Sequence, residues 1–392
     1  MSSTQGSREP ALGGPTSAVE THNSPRQDAR PTAPGATLRQ FPSASEQTNS
    51  LAARHSAQER QKADAALASG KLQTLPHWQG SYSIGDQRYH YNILGGNPKN
   101  GGTTEIKTLI VPIRLTISDF SENGKTPLLL DATKVTGQIL RSPIFKASDY
   151  ITGFQQFGDA MLRAEFPEAP ANWHTILTPT VGSPMDITVP PGASQIFRAK
   201  SGKFLAVVKD EAIDDPIFAA MKNGAYPPDQ YVIFITYNAL EEDAFGYHDA
   251  VYRESKSQEN VFTYSSWLVD VDDLFTIPSP DTATLSHEVA ETIHDAFLGN
   301  LSSRTLLWGD PFDHNKCFQS FIEVGDAVED APAHIQLHQQ VVGRGKNATI
   351  YTLQNEALLQ WFQRKTPSDA LAGAYSFPDI WVLPDPAPLT CK

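Results

Sequence analysis

The stretch Thr282 to Asn300, TATLSHEVAETIHDAFLGN, sets a histidine and several carboxylates on one short predicted helix. Within it His287, Glu288 and Glu291 spell H-E-x-x-E, a carboxylate variant of the H-E-x-x-H metal helix, whose two ligands stand four residues apart. Four residues are about one helical turn, so His287 and Glu291 share a face with Cβ atoms about 5–6 Å apart, a spacing that can clamp one divalent ion. Glu288 is rotated from His287 by about 100°, which aims its carboxylate at a water beside the ion instead of at the ion. Leu285, Val289, Ile293 and Ala296 form an apolar stripe at helical spacing, and Ser279-Pro-Asp281 reads as a helix start. His294 follows His287 by seven residues, about 10.5 Å along the axis. It and Asp295 are therefore expected to orient a ligand from behind.

A hydrolytic metal site needs a third protein ligand and an open position. In SFIEVGDAVEDA, Glu323 and Asp326 are three residues apart and are expected to share a helical face, Glu323 as the third ligand and Asp326 as its support. His248 in GYHDA, His314 in FDHN, and His334 with His338, which would share a face of a strand, are further candidates. His248 and Tyr264 are also placed to stabilise an oxyanion, a role suggested only by their nearness in sequence to the helix. No Lys or Arg occurs between Lys256 and Arg304, and so acidic a region invites a cation.

Outward from the helix, TEIKTLIVPIRLTISDF (residues 104–120) predicts a strand, with Pro112 marking it as an edge or a bulge. YITGFQQFGDAMLRAEF (150–166) predicts a helix whose Phe154, Phe157, Met161 and Phe166 face the core. A further helix is expected around Pro216 to Asn223. YVIFITY (231–237) reads as a buried strand, followed by strands at GYHDAVY (246–252) and VFTYSSWLV (261–269). Strands that lead into an active helix describe an α+β architecture built on a mixed twisted sheet with packed helices. Residues 1–75 are expected to be a disordered leader rich in Ser, Pro, Gly and Ala, with a lone helix at 45–70. Residues 76–392 then form one domain, sheet-rich to 275 and carrying the metal helix from 276.

Composition narrows the function classes. The chain has 392 residues, 40% of them hydrophobic, and a formal charge of −13, which argues against a nucleic-acid partner. Nothing approaches the roughly 18 consecutive apolar residues of a membrane helix, so a soluble protein is expected. No secretory signal peptide is visible at the start, and export by another route stays open. The two cysteines, Cys317 and Cys391, allow one disulfide at most.

LSHEVAETIHD resembles the H-E-x-x-E helix of zincin-like proteins, in particular a group of uncharacterised microbial proteins, and is distantly similar to the plant phosphate-induced (EXORDIUM-like) family. YNILGGNPKNGGTTEIKTLIVPIRL, WHTIL, GYHDAVY, FIEVGDAVE and YTLQNEALLQWFQRKTPSDALAGAYSF extend the resemblance over about residues 91–377. It implies a zincin-like fold and a metal-dependent hydrolase, with no substrate specified. Glu291 stands where peptidases of that fold carry a second histidine. Zinc is the first expectation for the ion, and the harder donor set of one imidazole and two carboxylates keeps manganese and calcium in play. The expected activity is hydrolysis of a peptide or protein substrate, Glu288 acting as base; the alternative is an inactive zincin-like binding or surface protein with a structural ion or none.

Overall fold

The computed structural model describes residues 57–122, 124, 126–297, 306–312, 316–329 and 331–386. In chain order its main elements are α1 (Ala57–Ala68), the hairpin β1 (His77–Ile84) and β2 (Gln87–Leu94), β3 (Thr103–Ile117), β4 (Leu128–Asp131), α2 (Phe157–Glu165), β5 (His174–Val181), β6 (Met185–Val189), α3 (Asp210–Asn223), β7 (Tyr231–Tyr237), β8 (Gly246–Arg253), β9 (Gln258–Trp267), α4 (Ala283–His294), and the hairpin β10 (Leu337–Val342) and β11 (Thr349–Gln354). The result is an α+β architecture.

A seven-stranded mixed sheet organises these elements. β8 forms one edge, antiparallel to β9; β9, β7 and β3 then run parallel to one another. The 15-residue β3 is long enough to take β5 and then β6 along one side, and β7 and then β4 along the other. Pro112 therefore lies in a central strand and not, as the sequence suggested, at an edge or bulge. It is tolerated because the neighbours change there. Pairing with β5 ends at Ile110 and pairing with β6 begins at Ile113, while on the other side Pro112 is the last residue paired with β7. The missing N–H thus falls at a break in the ladder.

Alternation along β7 divides the core. Tyr231, Ile233 and Ile235 belong to one buried cluster with Phe157, Met161, Leu285, Val289 and Ile293, so α2 and α4 cover that face. Val232 and Phe234 point the other way, to Ile213, Ile217 and Met221 of α3. α4 is buried nearly all round, as a helix enclosed by sheet, helix and hairpin must be. Its polar underside is pinned to the sheet by Thr292, whose hydroxyl lies 2.9 Å from Thr263 Oγ1 and accepts from Tyr231 OH at 3.2 Å. Against α2 the fit is close: a Cβ on Gly158 would come within 2.3 Å of Ile293 Cδ1.

Two further expectations change. Residues 148–155 form a small hairpin, Ser148–Tyr150 with Gly153–Gln155, turning at Ile151 and Thr152, and the helix starts only at Phe157. Phe154 is left 65% exposed, outside the core it was assigned to. α1 is not a lone helix, since Ala63 is buried and Lys62 bonds Glu254 at 2.7 Å beside the end of β8. The last part of the expected leader is also ordered, Gln73 bridging to Gln258 of β9 and Leu75 buried in the core, while residues 1–56 and Cys391 lie outside the described residues; Cys317 is disulfide-bonded. No helix among the described residues is long and apolar enough to cross a membrane.

Because Ile293 is the knob on which α2 and α4 meet, Ile293→Ala should destabilise the protein by about 2–5 kcal/mol through the cavity it leaves. Urea denaturation followed by tryptophan fluorescence measures this.

Candidate metal centre

Four segments converge beneath α4. α4 supplies His287, Glu288 and Glu291 on the turn facing the edge of the sheet. His287 Nε2 lies 3.2 Å from Glu291 Oε2 and 3.9 Å from Glu288 Oε1. β8 supplies His248, whose Nδ1 is 3.5 Å from Glu291 Oε2 and 3.9 Å from Glu288 Oε2. The loop after Ser320 supplies Glu323, 3.9 Å from His248 Nε2, and Asp326, 3.7 Å from His287 Nε2. Two donors held about 2.0–2.2 Å from one ion stand roughly 3–4 Å apart, and these separations fall in that range. Two sets meet the requirement, His287 with Glu288 and Glu291, and His248 with Glu291 and Glu323; in each, one donor atom per residue lies within 4.8 Å of the others. These buried groups could hold a metal ion.

Close backbone approach makes the convergence possible. A Cβ on Gly325 would fall 2.4 Å from His287 Nδ1, so only glycine lets the loop pass over the imidazole. Its N–H donates to Glu291 Oε1 at 3.1 Å, fixing that carboxylate. Gly246 plays the same part under Glu288, where a Cβ would meet Tyr264 O at 2.8 Å and Glu288 Oε1 at 2.9 Å. Gln354, at the end of β11, donates from Nε2 to Gly325 O and lies 2.8 Å from His287 Nδ1, and its N–H donates to Ser286 Oγ. The amide thus sets which ring nitrogen of His287 faces the carboxylates with its lone pair or proton.

Glu356 was not anticipated. It is fully buried, neither carboxylate oxygen has a hydrogen-bond partner, and its charge acts on His287, Glu291 and Glu288. The available signal was an acid inside the apolar run around Glu356-Ala-Leu-Leu, since glutamate is seldom fully buried unless paired. His248 Nε2, Glu288 Oε2 and Glu323 Oε2 are likewise buried and unpartnered. His287 and Asp326, with side chains 13% and 8% exposed, mark the side where the cluster meets solvent.

The electrostatics follow from burial. Burial first, and then the neighbouring carboxylates, push the carboxyls of Glu323, Asp326 and Glu356 well above the usual range against the opposing pull of His287 and His248. Burial raises Glu288 as well. For Glu291 burial works in the same sense but loses to the imidazoles of His287 and His248, which hold its carboxyl below the usual range. Both histidines are raised well above theirs against the pull of burial, His287 by Glu291 and Glu288, His248 by Glu323, Glu288 and Glu291. Among the described residues no Lys or Arg pairs with Glu288, Glu291, Glu323, Asp326 or Glu356. Among the described residues, the positive charge this cluster calls for comes from the two imidazoles alone, which leaves room for protons or a cation.

The other expected residues fall elsewhere. Tyr264 is turned away from the centre, because Tyr247 is its cross-strand partner whereas His248 is opposite Thr263. Alternation puts Tyr264 on the α3 face, with its hydroxyl 3.2 Å from Thr236 Oγ1. It cannot reach an oxyanion beside α4. His294 also turns away: its Nε2 lies 2.9 Å from Glu165 Oε2 of α2, and its Nδ1 faces Ala290 O. Asp295 is buried, forms a bridge to Asn92, and its charge acts on Glu323. Glu323 and Asp326 do not share a helix, since the helical turn begins only at Asp326. His334 is exposed on a separate turn, and His338, on β10, bonds Asp379 at 3.0 Å, so the two are not a pair. His314 lies outside the described residues.

Gly325→Ala should displace the His287 ring and weaken the binding of any divalent ion the cluster takes up by about 10–100-fold, the range for losing a group that orients a ligand. Isothermal titration with zinc, alongside circular dichroism to confirm the fold, measures it. No family model, curated protein or solved structure matches the chain.

Proposed function

We propose that this chain is a zincin-like, metal-dependent hydrolase of peptide bonds. The observation that carries the reading is the convergence of His248, His287, Glu288, Glu291 and Glu323 in one buried cluster, with donor atoms left unpartnered and no Lys or Arg among the described residues to neutralise them. An H-E-x-x-E helix lying against a mixed sheet, with the antiparallel edge strand β8 beside it, is consistent with the zincin-like resemblance.

His287 and Glu291 would hold the ion, with His248 or Glu323 completing the set. Two imidazoles among carboxylates make a softer donor set than the sequence alone suggested, which favours zinc or manganese over calcium. A bound ion would supply Lewis acidity towards a scissile carbonyl and make water a stronger acid. Glu288, whose carboxyl burial raises above the usual range, would take a proton from the attacking water and return it to the leaving amine. Loading His287 through Nε2 leaves the proton on Nδ1, so the Gln354 amide would have to turn its oxygen to that nitrogen. Among the described residues β8 is the edge strand of the sheet, and an extended peptide substrate would add along it as a further strand.

A second reading, a non-catalytic module with a structural ion, draws on the 3.2 Å contact that already links His287 to Glu291. The two separate on Glu288→Gln. With zinc or manganese loaded, wild type should cleave a quenched fluorescent peptide library. The variant should keep the same metal content by elemental mass spectrometry and lose about 100-fold or more in rate. Undiminished cleavage by the variant would remove Glu288 as the base, and a loaded wild type that cleaves nothing would favour the structural ion.

A further inference from the structure

The cluster holds more ligand capacity than one ion uses. We infer that it is a dinuclear centre, with Glu291 as the carboxylate shared by two divalent ions. The inference rests on the metal-binding reading above and extends it to the number of ions and their bridge.

Three observations carry it. The first is geometry. The two donor sets have only Glu291 in common, and the two imidazoles approach the same oxygen, Glu291 Oε2, from His287 Nε2 at 3.2 Å and from His248 Nδ1 at 3.5 Å. An oxygen flanked by two separate nitrogen donors is placed as a bridging oxygen is. Its partner oxygen, Oε1, is held by the Gly325 N–H and keeps the carboxylate from rotating away. The second is satisfaction. An ion on His287, Glu291 and either Glu288 or Asp326 would leave Glu323 Oε2 and His248 Nε2, 3.9 Å apart, buried and without a hydrogen bond among the described residues on the far side of Glu291. Both residues are only 3% exposed, so water does not replace the missing contacts cheaply. A second ion on His248 Nδ1, Glu291 and Glu323 takes up the Glu323 carboxylate and leaves His248 Nε2 as a neutral N–H facing Glu323. The third is charge. Fully ionised, Glu288, Glu291, Glu323, Asp326 and Glu356 carry −5 between neutral imidazoles; one divalent ion leaves −3 and two leave −1. The smaller residue is the one a buried site tolerates. Two-metal hydrolytic sites hold their ions about 3.5–4 Å apart, close enough for one carboxylate to bridge them.

The test is metal stoichiometry on the full chain, after dialysis against zinc and then against manganese, with elemental mass spectrometry as the readout. Wild type should bind two ions per chain. Glu323→Gln, which preserves shape, should bind one; if that variant fails to fold by circular dichroism, His248→Gln serves in its place with the same expectation. In the manganese form, electron paramagnetic resonance should show an exchange-coupled pair, and Glu323→Gln should show the spectrum of an isolated ion. One ion per wild-type chain would overturn the dinuclear centre and leave the metal-binding reading intact. No ion at either step would overturn both. Two ions with uncoupled spectra would place the second ion elsewhere and overturn the shared bridge.

Discussion

The structure depends on the burial of Glu291. A carboxylate taken out of water among other carboxylates is costly unless opposite charge and hydrogen bonds are brought to it, and each element around α4 brings one of these. β8 carries His248 to one side of Glu291 Oε2, α4 itself carries His287 to the other, and the loop before Asp326 donates the Gly325 N–H to Oε1. β11 then fixes the loop and the imidazole together through Gln354. The large sheet explains how these pieces meet. β3, β7 and β9 form the platform, α4 is fastened to it through Thr263, Thr292 and Tyr231, and the edge strand is thereby held with His248 Nδ1 3.5 Å from Glu291 Oε2.

Much of this was legible in the sequence where a local rule governs. Helical periodicity alone placed His287 and Glu291 on one face, because i and i+4 neighbours meet whatever the tertiary context. The apolar runs at 104–120 and 231–237 declared their strands, and Leu285, Val289 and Ile293 declared the buried side of α4. Where the outcome depended on partners, the local signal misled. Pro112 read as an edge because a proline normally disrupts a ladder, and only the change of neighbours along a 15-residue strand makes it harmless. Tyr264 looked near the helix in sequence, yet strand parity relative to His248 puts it on the opposite face. Glu356 lies far along the chain from the H-E-x-x-E motif, and no spacing rule links it to His287.

The same distinction separates the two histidines near the ends of α4. His287 and His294 are seven residues apart and so point in similar directions from the axis, but the helix passes from the edge of the sheet to α2 over that distance. His287 therefore meets Asp326 and Glu291, whereas His294 meets Glu165, whose other oxygen accepts from Leu359 N at 2.8 Å. One end of the helix is tied to an acidic cluster that meets solvent at His287 and Asp326, the other to a closed, fully hydrogen-bonded pair.

That contrast bears on why the first cluster should be read as a site and the second as structure. Both bury a histidine against a carboxylate. Around His294 the count of donors and acceptors closes within the protein, so nothing further is called for. Around Glu291 it does not close: among the described residues His248 Nε2, Glu288 Oε2, Glu323 Oε2 and both oxygens of Glu356 have no hydrogen-bond partner, and all belong to residues that face one another. Leaving one buried polar atom unmatched costs about 1–3 kcal/mol, and a chain of ordinary marginal stability has little room for several such costs at one place. If a cation occupies the cluster, its binding energy enters the folding equilibrium directly, because the unfolded chain has no such arrangement of donors to offer. The unsatisfied atoms are then the mark of a fold whose last stabilising contact comes from outside the chain.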